Sequence, residues 1–384
     1  MSALKGFRVL ELAESVAGEY CGKLLADFGA ELIKIEKPGV GSPTRRLGPF
    51  ANVEGPEAER SGLFAYLNTN KQSAALDVTS GAGRDALRKL ADGADVVIDD
   101  HPAGWLASIG LDPVAIEQSH PALVLCSITA FGQAPLEDRT HAEDLNVIHA
   151  SGLGYHTPSG ADDKQPPLKG AGRFLASYEA GLDAAMCIVA ALFDREQSKL
   201  GRFIDVSKQA TLASRVDYVL AQMVAGDMDT STKRTAFDLW GPAGIFACRD
   251  GYVYLWMSAP GHWEALRQLL GDPEWMKSFP ERWLERECTP ERVAAVRRYV
   301  GEWLKTQDKQ SVAAAAQKLG LTVAEVNDPR DVLASPQYAF RNFFAEVEHP
   351  VLGRTQYPTV SYKLSATPAK IERPAPRLDE SANG

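Results

Sequence analysis

The chain has 384 residues, of which 45% are hydrophobic and 24% are charged, so it is long enough to bury a large core and suits two domains. Its formal charge of -9 is spread along the chain, with acidic and basic residues interleaved, which leaves no basic stripe for nucleic-acid phosphates. The composition predicts an ordinary globular protein and argues against nucleic-acid binding.

The hydropathy pattern predicts neither a membrane-spanning protein nor a secreted one. The segment MSALKGFRVLEL lacks a charged region followed by a long apolar run, and the longest apolar runs elsewhere are too short to span a bilayer. The five cysteines are widely spaced and odd in number, which favours free thiols in a reducing cytoplasm over disulfides or a metal site. We therefore expect a cytoplasmic protein without a bound metal.

The first predicted elements in chain order are a strand, a helix and a strand. The apolar run FRVLEL (7–12) leads into the loop AESVAG, and the helical spacing that follows ends near Gly29, a suitable C-terminal cap. The alternating run ELIKIE (31–36) predicts the next strand, and a βαβ unit of this length implies a parallel sheet. Further predicted strands are residues 94–99, 122–129 and 201–207, so this half of the chain is predicted to be doubly wound α/β.

A different pattern begins near Asp227 and continues to about Lys318. It contains the glycine-bearing loop LWGPAGIF, helical segments after it, and the pair Asp250 and Gly251 between two apolar runs. An Asp-Gly pair in that setting predicts a hairpin turn. We interpret this region as a smaller α+β domain.

The loop after the first strand is a candidate site for a nucleotide-like group, because ligands of doubly wound sheets lie beyond the carboxyl ends of the strands. It has no G-x-G-x-x-G motif, and the chain has no P-loop, HExxH or CxxC. A single basic residue there is more often a solvated surface charge than a ligand. Basic residues that recur after successive strands, and that together could hold the phosphates of a coenzyme, are Lys37, Arg45, Arg46, Lys71 and Arg139.

Several segments together resemble the family III CoA-transferases, the CaiB/BaiF group that includes formyl-CoA transferase. The matching stretches are LKGFRVLEL, ADFGAELIKIEKPGVGSPTR, LNTNKQSAALDVTSGAGRDALRKLADGADVVID, EAGLDAAMCIVAAL with GRFIDVSKQA, and VEHPVLGRTQYPTVSYKLSATPAKIERPAPRL. The resemblance implies a large Rossmann-like domain built from both chain ends, a smaller α+β domain between them, and an interlocked ring-like dimer. We expect a large CoA-binding domain at 1–210, the small domain at 225–325, and a return to the large domain at 330–384.

The resemblance also implies substrates and a binding site. The substrates would be an acyl-CoA and a carboxylic acid, with coenzyme A as the carried group and no metal. The positions that match coenzyme contacts in the family are Ser15, Val16, Ala17, Lys37, Leu67, Asn70, Lys71, Asp100, His101 and Arg139.

The catalytic position departs from the family pattern. Family members use an aspartate nucleophile in a D-x-x-A-G context, and Ser177 stands at that position. A carboxylate gives a mixed anhydride from which CoA can be passed on, whereas a serine gives a plain ester that lies below the thioester. We therefore expect Ser177 to be inactive as a nucleophile and to act as an N-cap or first-turn serine of its helix. Glu179 would face away from Ser177, since residues two apart on a helix point roughly 200° apart.

Other positions also depart from the family. Ser108 stands where an arginine often grips the phosphates, and Asp100 replaces an uncharged residue, where an anion would repel phosphate. The related racemases use a histidine base, and the position that matches it is Glu143, with a lone His141 nearby. This arrangement does not favour a racemase that abstracts a proton. The glycine-rich cover over the nucleophile is reduced to residues 240–244.

The sequence favours a CoA-transferase subunit that has lost its nucleophile and pairs with a homologous subunit that keeps the aspartate, as in the two-subunit succinyl-CoA:benzylsuccinate CoA-transferase. Three alternatives stay open. The chain could transfer CoA by an altered route through Glu179 or a substrate carboxylate, or be a non-catalytic acyl-CoA-binding homodimer. It could also be a serine hydrolase, which needs a base beside Ser177.

Overall fold

The computed structural model describes residues 2–134, 142–156, 173–226, 241–257 and 259–380. The chain divides into two compact units. The first unit consists of Met1–Gly154, Leu168–Asp227 and Phe340–Gly384, so both ends of the chain contribute to it. The second consists of Tyr155–Pro167 and Met228–Ala339, which extends beyond the expected range of 225–325.

A six-stranded sheet forms the centre of the first unit. Its strands are β1 (Arg8–Glu11), β2 (Glu31–Glu36), β3 (Gln72–Ala75), β4 (Val96–Asp99), β5 (Val124–Thr129) and β6 (Phe203–Ser207). The order is β3-β2-β1-β4-β5-β6, and every neighbouring pair is parallel. The predicted parallel α/β sheet is therefore confirmed. The strand order reverses direction between β1 and β4, where such sheets open a crevice for ligands.

Helices cover both faces of this sheet. The helices in this part of the chain are α1 (Val16–Asp27), α2 (Gly62–Leu67), α3 (Gly81–Asp92), α4 (Trp105–Ser108), α5 (Pro113–Ser119), α6 (Asp144–Ala150), α7 (Leu153–His156), α8 (Leu175–Ser198), α9 (Lys208–Ala213) and α10 (Asp217–Ala225). On one face α1 and α8 pack together over the buried strands, and on the other α3, α4 and α5 do so. Where α8 packs on α1, a glycine is needed at position 181, because a Cβ there would lie 2.5 Å from the Ala17 carbonyl oxygen.

The second unit is an antiparallel sheet with helices. Its elements are β7 (Ala243–Cys248), β8 (Gly251–Trp256), α11 (Pro260–Leu270), α12 (Trp283–Arg286), α13 (Pro290–Leu304), α14 (Lys309–Lys318), β9 (Thr322–Val326), α15 (Pro329–Ala334) and α16 (Pro336–Phe340). The strands pair antiparallel in the order β7-β8-β9. Cys248 pairs with Gly251, so the predicted hairpin at Asp250 and Gly251 is confirmed. Trp263 and Trp283 are buried in the core of this unit.

The C-terminal segment forms a hairpin and then runs along the first unit. Strands β10 (Phe344–His349) and β11 (Gly353–Pro358) pair antiparallel, and Tyr357 packs on Ala65. Further on, the Lys370 amide donates to the Asp27 carbonyl and the Arg45 guanidinium to that of Pro376. These contacts tie the end of the chain to the N-terminal elements.

Helix α8 is the one described helix that is long and apolar enough to span a membrane by length and composition. Half of its most apolar window is buried inside the protein. Its buried residues, among them Ala180, Ala184 and Ile188, belong to the main core. The helix is thus built as a core element of the first unit.

Candidate functional site

A pocket of about 700 Å³ opens at the carboxyl ends of the central strands. Its wall is made from the loops that follow β1, β4, β5 and β6, together with the start of α6 and α8. It therefore lies at the point where the strand order reverses, the place predicted for a ligand. Among the predicted site residues, those that line it are Ser15, Val16, Asp100, His101 and Ser177.

Ser177 is held by two polar neighbours from distant parts of the chain. Its hydroxyl donates to Asp144 Oδ1 at 2.8 Å, its amide donates to Asp144 Oδ2 at 2.9 Å, and Lys208 Nζ donates to its Oγ at 2.9 Å. The residue is 2% exposed. Ser177 lies in the first turn of α8, which was one of the two positions expected for it, and not at the N-cap, which is Phe174. Its hydroxyl bonds the Asp144 carboxylate and not a helix amide.

Apolar packing brings these three residues together. Val147 and Ile148 of α6 form one buried cluster with Ala176 of α8 and Leu212 of α9. Asp144 is the first residue of α6 and Lys208 is the first residue of α9, so both reach the start of α8. Packing among three short apolar faces therefore determines the polar geometry around Ser177.

Lys208 forms an ion pair with the carboxylate of this cluster. Lys208 Nζ lies 3.4 Å from Asp144 Oδ1, and its side chain is 13% exposed. In this arrangement Lys208 is paired with the carboxylate and donates a hydrogen bond to the Ser177 oxygen.

Glu179 lies outside the pocket lining. Its Oε2 accepts from Arg215 Nε at 3.1 Å, and the same guanidinium bonds Asp183 at 2.6 Å. Because α8 is already helical at Leu175, Ser177 and Glu179 lie on different faces of the helix. The geometry does not bring Glu179 to the pocket.

Asp100 occupies the N-terminal end of α1. Its carboxylate accepts from the amides of Glu14, Ser15 and Gly18 at 2.8, 3.0 and 3.0 Å, and from the Ser15 hydroxyl at 2.5 Å. These donors are the ones that a helix N-terminus would offer to a phosphate. Asp100 therefore acts on the first loop by bonding its amides, and the loop keeps its shape around this carboxylate.

His101 places a positive charge on the pocket wall. Its Nδ1 lies 2.8 Å from Asp99 Oδ1, its Nε2 lies 3.5 Å from Glu14 Oε2, and its ring stacks on Trp105 with 3.5 Å between centroids. Burial disfavours the imidazolium, but the bonds to Asp99 and Glu14 outweigh it and raise the pKa of His101 to about 9. The side chain is therefore protonated near neutral pH.

Lys71 was expected to contact the coenzyme, but the structure directs it inward. Its ammonium donates to Glu11 Oε2 at 2.7 Å, to the Glu19 carbonyl at 2.8 Å and to Asn68 Oδ1 at 2.9 Å, so all three N–H donors are used. Lys34 completes this sealed cluster by bridging Glu11 and Glu19 at 3.0 and 2.9 Å. As placed, Lys71 has no donor left for a phosphate.

Arg45 likewise differs from the sequence expectation of a phosphate ligand. It is fully buried, with bonds of 2.9 and 2.8 Å to the two oxygens of Glu36. Burial of Glu36 disfavours its ionised form, but the Arg45 contacts outweigh this and lower the pKa of Glu36 to about 2. The pair serves the interior of the first unit.

The other predicted coenzyme contacts are dispersed. Ala17 and Leu67 are fully buried, and Lys37 is exposed. Asn70 bonds Asp27 and the backbone near the C-terminus, away from the pocket. Arg139, His141 and Trp240 lie outside the described residues.

Sequence reasoning missed the residues that surround Ser177. Lys208 directly follows the predicted strand 201–207. Because ligands of doubly wound sheets bind beyond the carboxyl ends of the strands, this position could have identified it as a candidate. Arg173 also lines the pocket; its guanidinium lies 4.9 Å from the Phe174 ring centroid, and it has no acidic partner among the described residues. Within the described ranges, no group of three or more His, Cys, Asp or Glu side chains is placed to hold a metal ion.

Comparison with known proteins identifies the family. The model of CoA-transferase family III matches residues 4–382. The chain belongs to CoA-transferase family III. This confirms the resemblance inferred from the sequence, and at the family level it indicates CoA transfer between acyl-CoA thioesters and carboxylic acids.

Individual relatives are similar over almost their whole length. A succinyl-CoA:mesaconate CoA-transferase of Haloarcula hispanica is 27% identical over 99% of this chain and 94% of its own. The succinyl-CoA:(R)-benzylsuccinate CoA-transferase subunit BbsE of Thauera aromatica is 28% identical over 97% of this chain and 91% of its own. The crystal structure of a CAIB/BAIF family protein from Brucella suis superposes with a TM-score of 0.82, at 27% identity, over 99% of this chain and 97% of that one.

Proposed function

We propose that this chain is a subunit of a family III CoA-transferase that lacks a nucleophile of its own and works with a homologous subunit carrying the catalytic aspartate. The observation that supports this most directly is the state of Ser177. Its hydroxyl lies in the pocket but donates to Asp144 and accepts from Lys208. A serine itself lacks the carboxylate that forms an anhydride, and Asp144, which accepts its hydrogen bond, is paired with Lys208.

The chemistry of CoA transfer explains why a chain without a nucleophilic carboxylate would need a partner. In CoA transfer by a carboxylate, its oxygen attacks the thioester carbonyl, CoA leaves as the thiolate, and the resulting anhydride is attacked in turn. If Ser177 attacked instead, the CoA thiolate could not efficiently reverse the ester that forms. An aspartate on a second, homologous chain would supply the anhydride, and this chain would supply the fold and a pocket.

An exposed apolar stripe on α8 supports the presence of a partner chain. Leu182, Met186, Val189 and Phe193 recur at spacings of four, three and four residues, and Phe193 is 74% exposed. Such a stripe on a helix of a soluble domain is typical of a surface that another chain covers. A homologous subunit with a matching helix is the occupant that we propose. The name of the Thauera aromatica relative, a subunit of a succinyl-CoA-dependent transferase, agrees with this arrangement.

We propose that the substrate is bound by those expected coenzyme contacts that line the pocket. Ser15 and Val16 present the first loop, and His101 offers a protonated imidazole that an anionic phosphate can approach. The proposal includes an acyl-CoA and a carboxylic acid as substrates, no requirement for a metal, and a cytoplasmic location.

The test is native mass spectrometry of the protein from its own organism, followed by assays of the chain alone and with its partner. We expect a complex with an aspartate-bearing homologue, no exchange of isotope-labelled acid into acyl-CoA by the chain alone, and exchange in the complex. Within the complex, Ser177→Ala should change the rate less than twofold. A pure homodimer that exchanges CoA would contradict the proposal.

The contact of 2.9 Å between Lys208 and Ser177 favours a second candidate function, hydrolysis of an acyl-CoA through a serine ester. Hydrolysis suits an ester intermediate, and the lysine stands where a base would be needed. Against this role, Lys208 Nζ also lies 3.4 Å from Asp144 Oδ1 and is paired with that carboxylate. Incubation of the chain with an acyl-CoA distinguishes the two, because only the hydrolase releases free CoA and gains the mass of an acyl group at Ser177.

A further inference from the structure

A short turn on the pocket wall depends on anchors from other parts of the chain. Pro43 and Thr44, at the start of the 3-10 helix Pro43–Arg46, line the pocket together with Leu47. The Thr44 hydroxyl donates to Glu19 Oε1 at 2.7 Å, which attaches the turn to the sealed cluster. A single 3-10 turn is too short to keep its shape alone, so its geometry is determined by such contacts.

The end of the chain provides a second anchor for the same turn. Residues 375–380 form a segment that we name the C-terminal strap. Arg45, which is fully buried in the turn, donates from Nη2 to the Pro376 carbonyl at 3.0 Å. Glu59 joins the two segments, because its Oε1 accepts from the Leu378 amide at 2.7 Å and from Arg45 Nη1 at 3.4 Å. The Arg45 guanidinium is thus the joint between the pocket turn and the strap.

The strap also packs against the loop that leads into the turn. Gly41 has a φ of 70°, and a Cβ at this position would lie 2.7 Å from Arg45 Cδ and 2.9 Å from Leu378 Cδ1. Both side chains therefore approach the backbone of the loop closely. The Gly39 amide donates to Asp379 Oδ1 at 3.0 Å. The contacts of the strap thus extend along the chain from residue 39 to Arg45.

The strap can change its docking while the rest of the first unit stays folded. Residues 371–380 form no helix or strand, and most of them are exposed to solvent. The buried residues of the strap are Ala375 and Pro376. Segments with few buried apolar contacts open locally at a lower free energy than the core. Docking of the strap is therefore a local equilibrium, and it can respond to what happens at the pocket.

We propose that the C-terminal strap is a positioning element of the pocket: docked on Arg45, it fixes the wall that Pro43, Thr44 and Leu47 form. Occupancy of the pocket and docking of the strap then stabilise each other, because coupling between two sites is equal in both directions. Arg45 acts through the turn and is not itself in the pocket lining. The coupling to a CoA ligand rests on the function proposed above, whereas the ordering of the turn does not.

The first measurement is hydrogen–deuterium exchange in a chain that lacks residues 375–384. The matched control lacks only residues 381–384, a deletion that removes none of the contacts described above. Without the strap we expect the amides of residues 39–47 to exchange at least about tenfold faster, since a hydrogen bond to a charged group is worth that factor. Exchange in α3, whose described hydrogen bonds do not involve the strap, should change less than about twofold.

The second measurement tests the coupling, with coenzyme A as the probe. The dissociation constant of CoA should be about tenfold higher without the strap. In the full chain, saturating CoA should slow tryptic cleavage after the exposed Arg377 by a similar factor, because cleavage there requires the strap to open. Cleavage after Lys199, which is also exposed but is not in the strap, is the control and should keep its rate.

Each outcome decides a different point. Unchanged exchange at residues 39–47, or an equal acceleration in α3, overturns the positioning role. Equal CoA affinity with and without the strap overturns the coupling. If CoA binds neither chain, the proposed CoA function fails, and the exchange data alone decide whether the strap orders the turn.

A second variant covers the case in which the deletion prevents folding. Leu378→Ala combined with Asp379→Ala removes the packing on Gly41 and the bond to Gly39, and it keeps the buried Ala375 and Pro376. We expect exchange at residues 39–47 to be at least about threefold faster in this variant, from the loss of one hydrogen bond. An unchanged rate would overturn the proposal.

Discussion

Two clusters in the first unit each place lysine ammonium groups against carboxylates, and they have opposite relations to solvent. The cluster of Glu11, Glu19, Lys34 and Lys71 is sealed, with every side chain fully buried. The cluster of Asp144, Ser177 and Lys208 opens on a cavity of about 700 Å³. A lysine beside a carboxylate stabilises structure in the first case and is available to a ligand in the second. Both clusters contain lysines and carboxylates, and they differ because only the second is open to the pocket.

The largest effect is expected in the sealed cluster. Burial disfavours the Lys34 ammonium, but Glu19 and Glu11 outweigh it and raise the pKa of this lysine above its usual range. Lys34→Met would leave Lys71 as the remaining lysine beside these two buried carboxylates, so we expect a loss of about 3–5 kcal/mol in the free energy of unfolding. Urea denaturation measures it, and the exposed Lys89→Met is the control, with a change below about 0.5 kcal/mol. Similar stabilities for the two variants would show that the sealed cluster is not a structural one.

The open cluster is tested by introducing the aspartate that we propose stands at this position in an active subunit. Ser177→Asp places a carboxylate beside Lys208, and we expect the isolated chain to exchange labelled acid into acyl-CoA roughly 100-fold faster than Ser177→Asn, which has the same shape without the charge. The nearby Asp144 should raise the pKa of the new carboxyl group, which lowers the gain at acidic pH. Equal rates for the two variants would mean that residue 177 alone does not separate this pocket from an active one.

The charge on His101 predicts a pH dependence at the pocket wall. Its pKa is raised from 6.5 to about 9, so the stabilisation from the bonds to Asp99 and Glu14 is complete below pH 6.5 and lost as the pH rises through 9. We expect the free energy of unfolding to fall by about 2 kcal/mol between pH 6.5 and 9.5 for this group. His101→Gln should flatten that slope, whereas His120→Gln should keep it. A slope unchanged by His101→Gln would contradict the assignment.

The smallest effect is expected at Glu179, which pairs with Arg215 on another face of α8. Glu179→Gln removes a partly exposed ion pair, so we expect a loss of only about 0.3 kcal/mol in unfolding free energy and less than a twofold change in the rate of the complex. A loss of transfer activity would instead support the altered route through this carboxylate. The assay is the same labelled-acid exchange.

Local patterns were enough to predict the scaffold. The alternation of ELIKIE predicted β2 at its observed bounds, and the Asp-Gly pair predicted the hairpin between β7 and β8. Both depend on residues that are near one another in the chain. The family resemblance was also readable from the sequence, because it is spread over segments from both ends.

The site was only partly predictable. A motif suggested that Ser177 stands at the nucleophile position, which remains a prediction. Its partners Asp144 and Lys208 stand 33 and 31 residues away, and no local rule joins them to it. The recurrence of basic residues near strand ends and the family resemblance predict that Lys71 contacts the coenzyme, yet its ammonium points into the protein. The same reasoning passed over Lys208, which follows β6 and reaches the pocket.

The amino-acid sequence by itself determined the doubly wound sheet, the second α+β unit, the family, and the absence of an aspartate at position 177. Only the tertiary structure decided which charged groups face the pocket and which are sealed. The physical reason is that the packing of apolar faces determines where the charged side chains on the same elements point. In this protein the contact of Val147 and Ile148 with Ala176 and Leu212, from three separate elements, turns Asp144 and Lys208 toward Ser177.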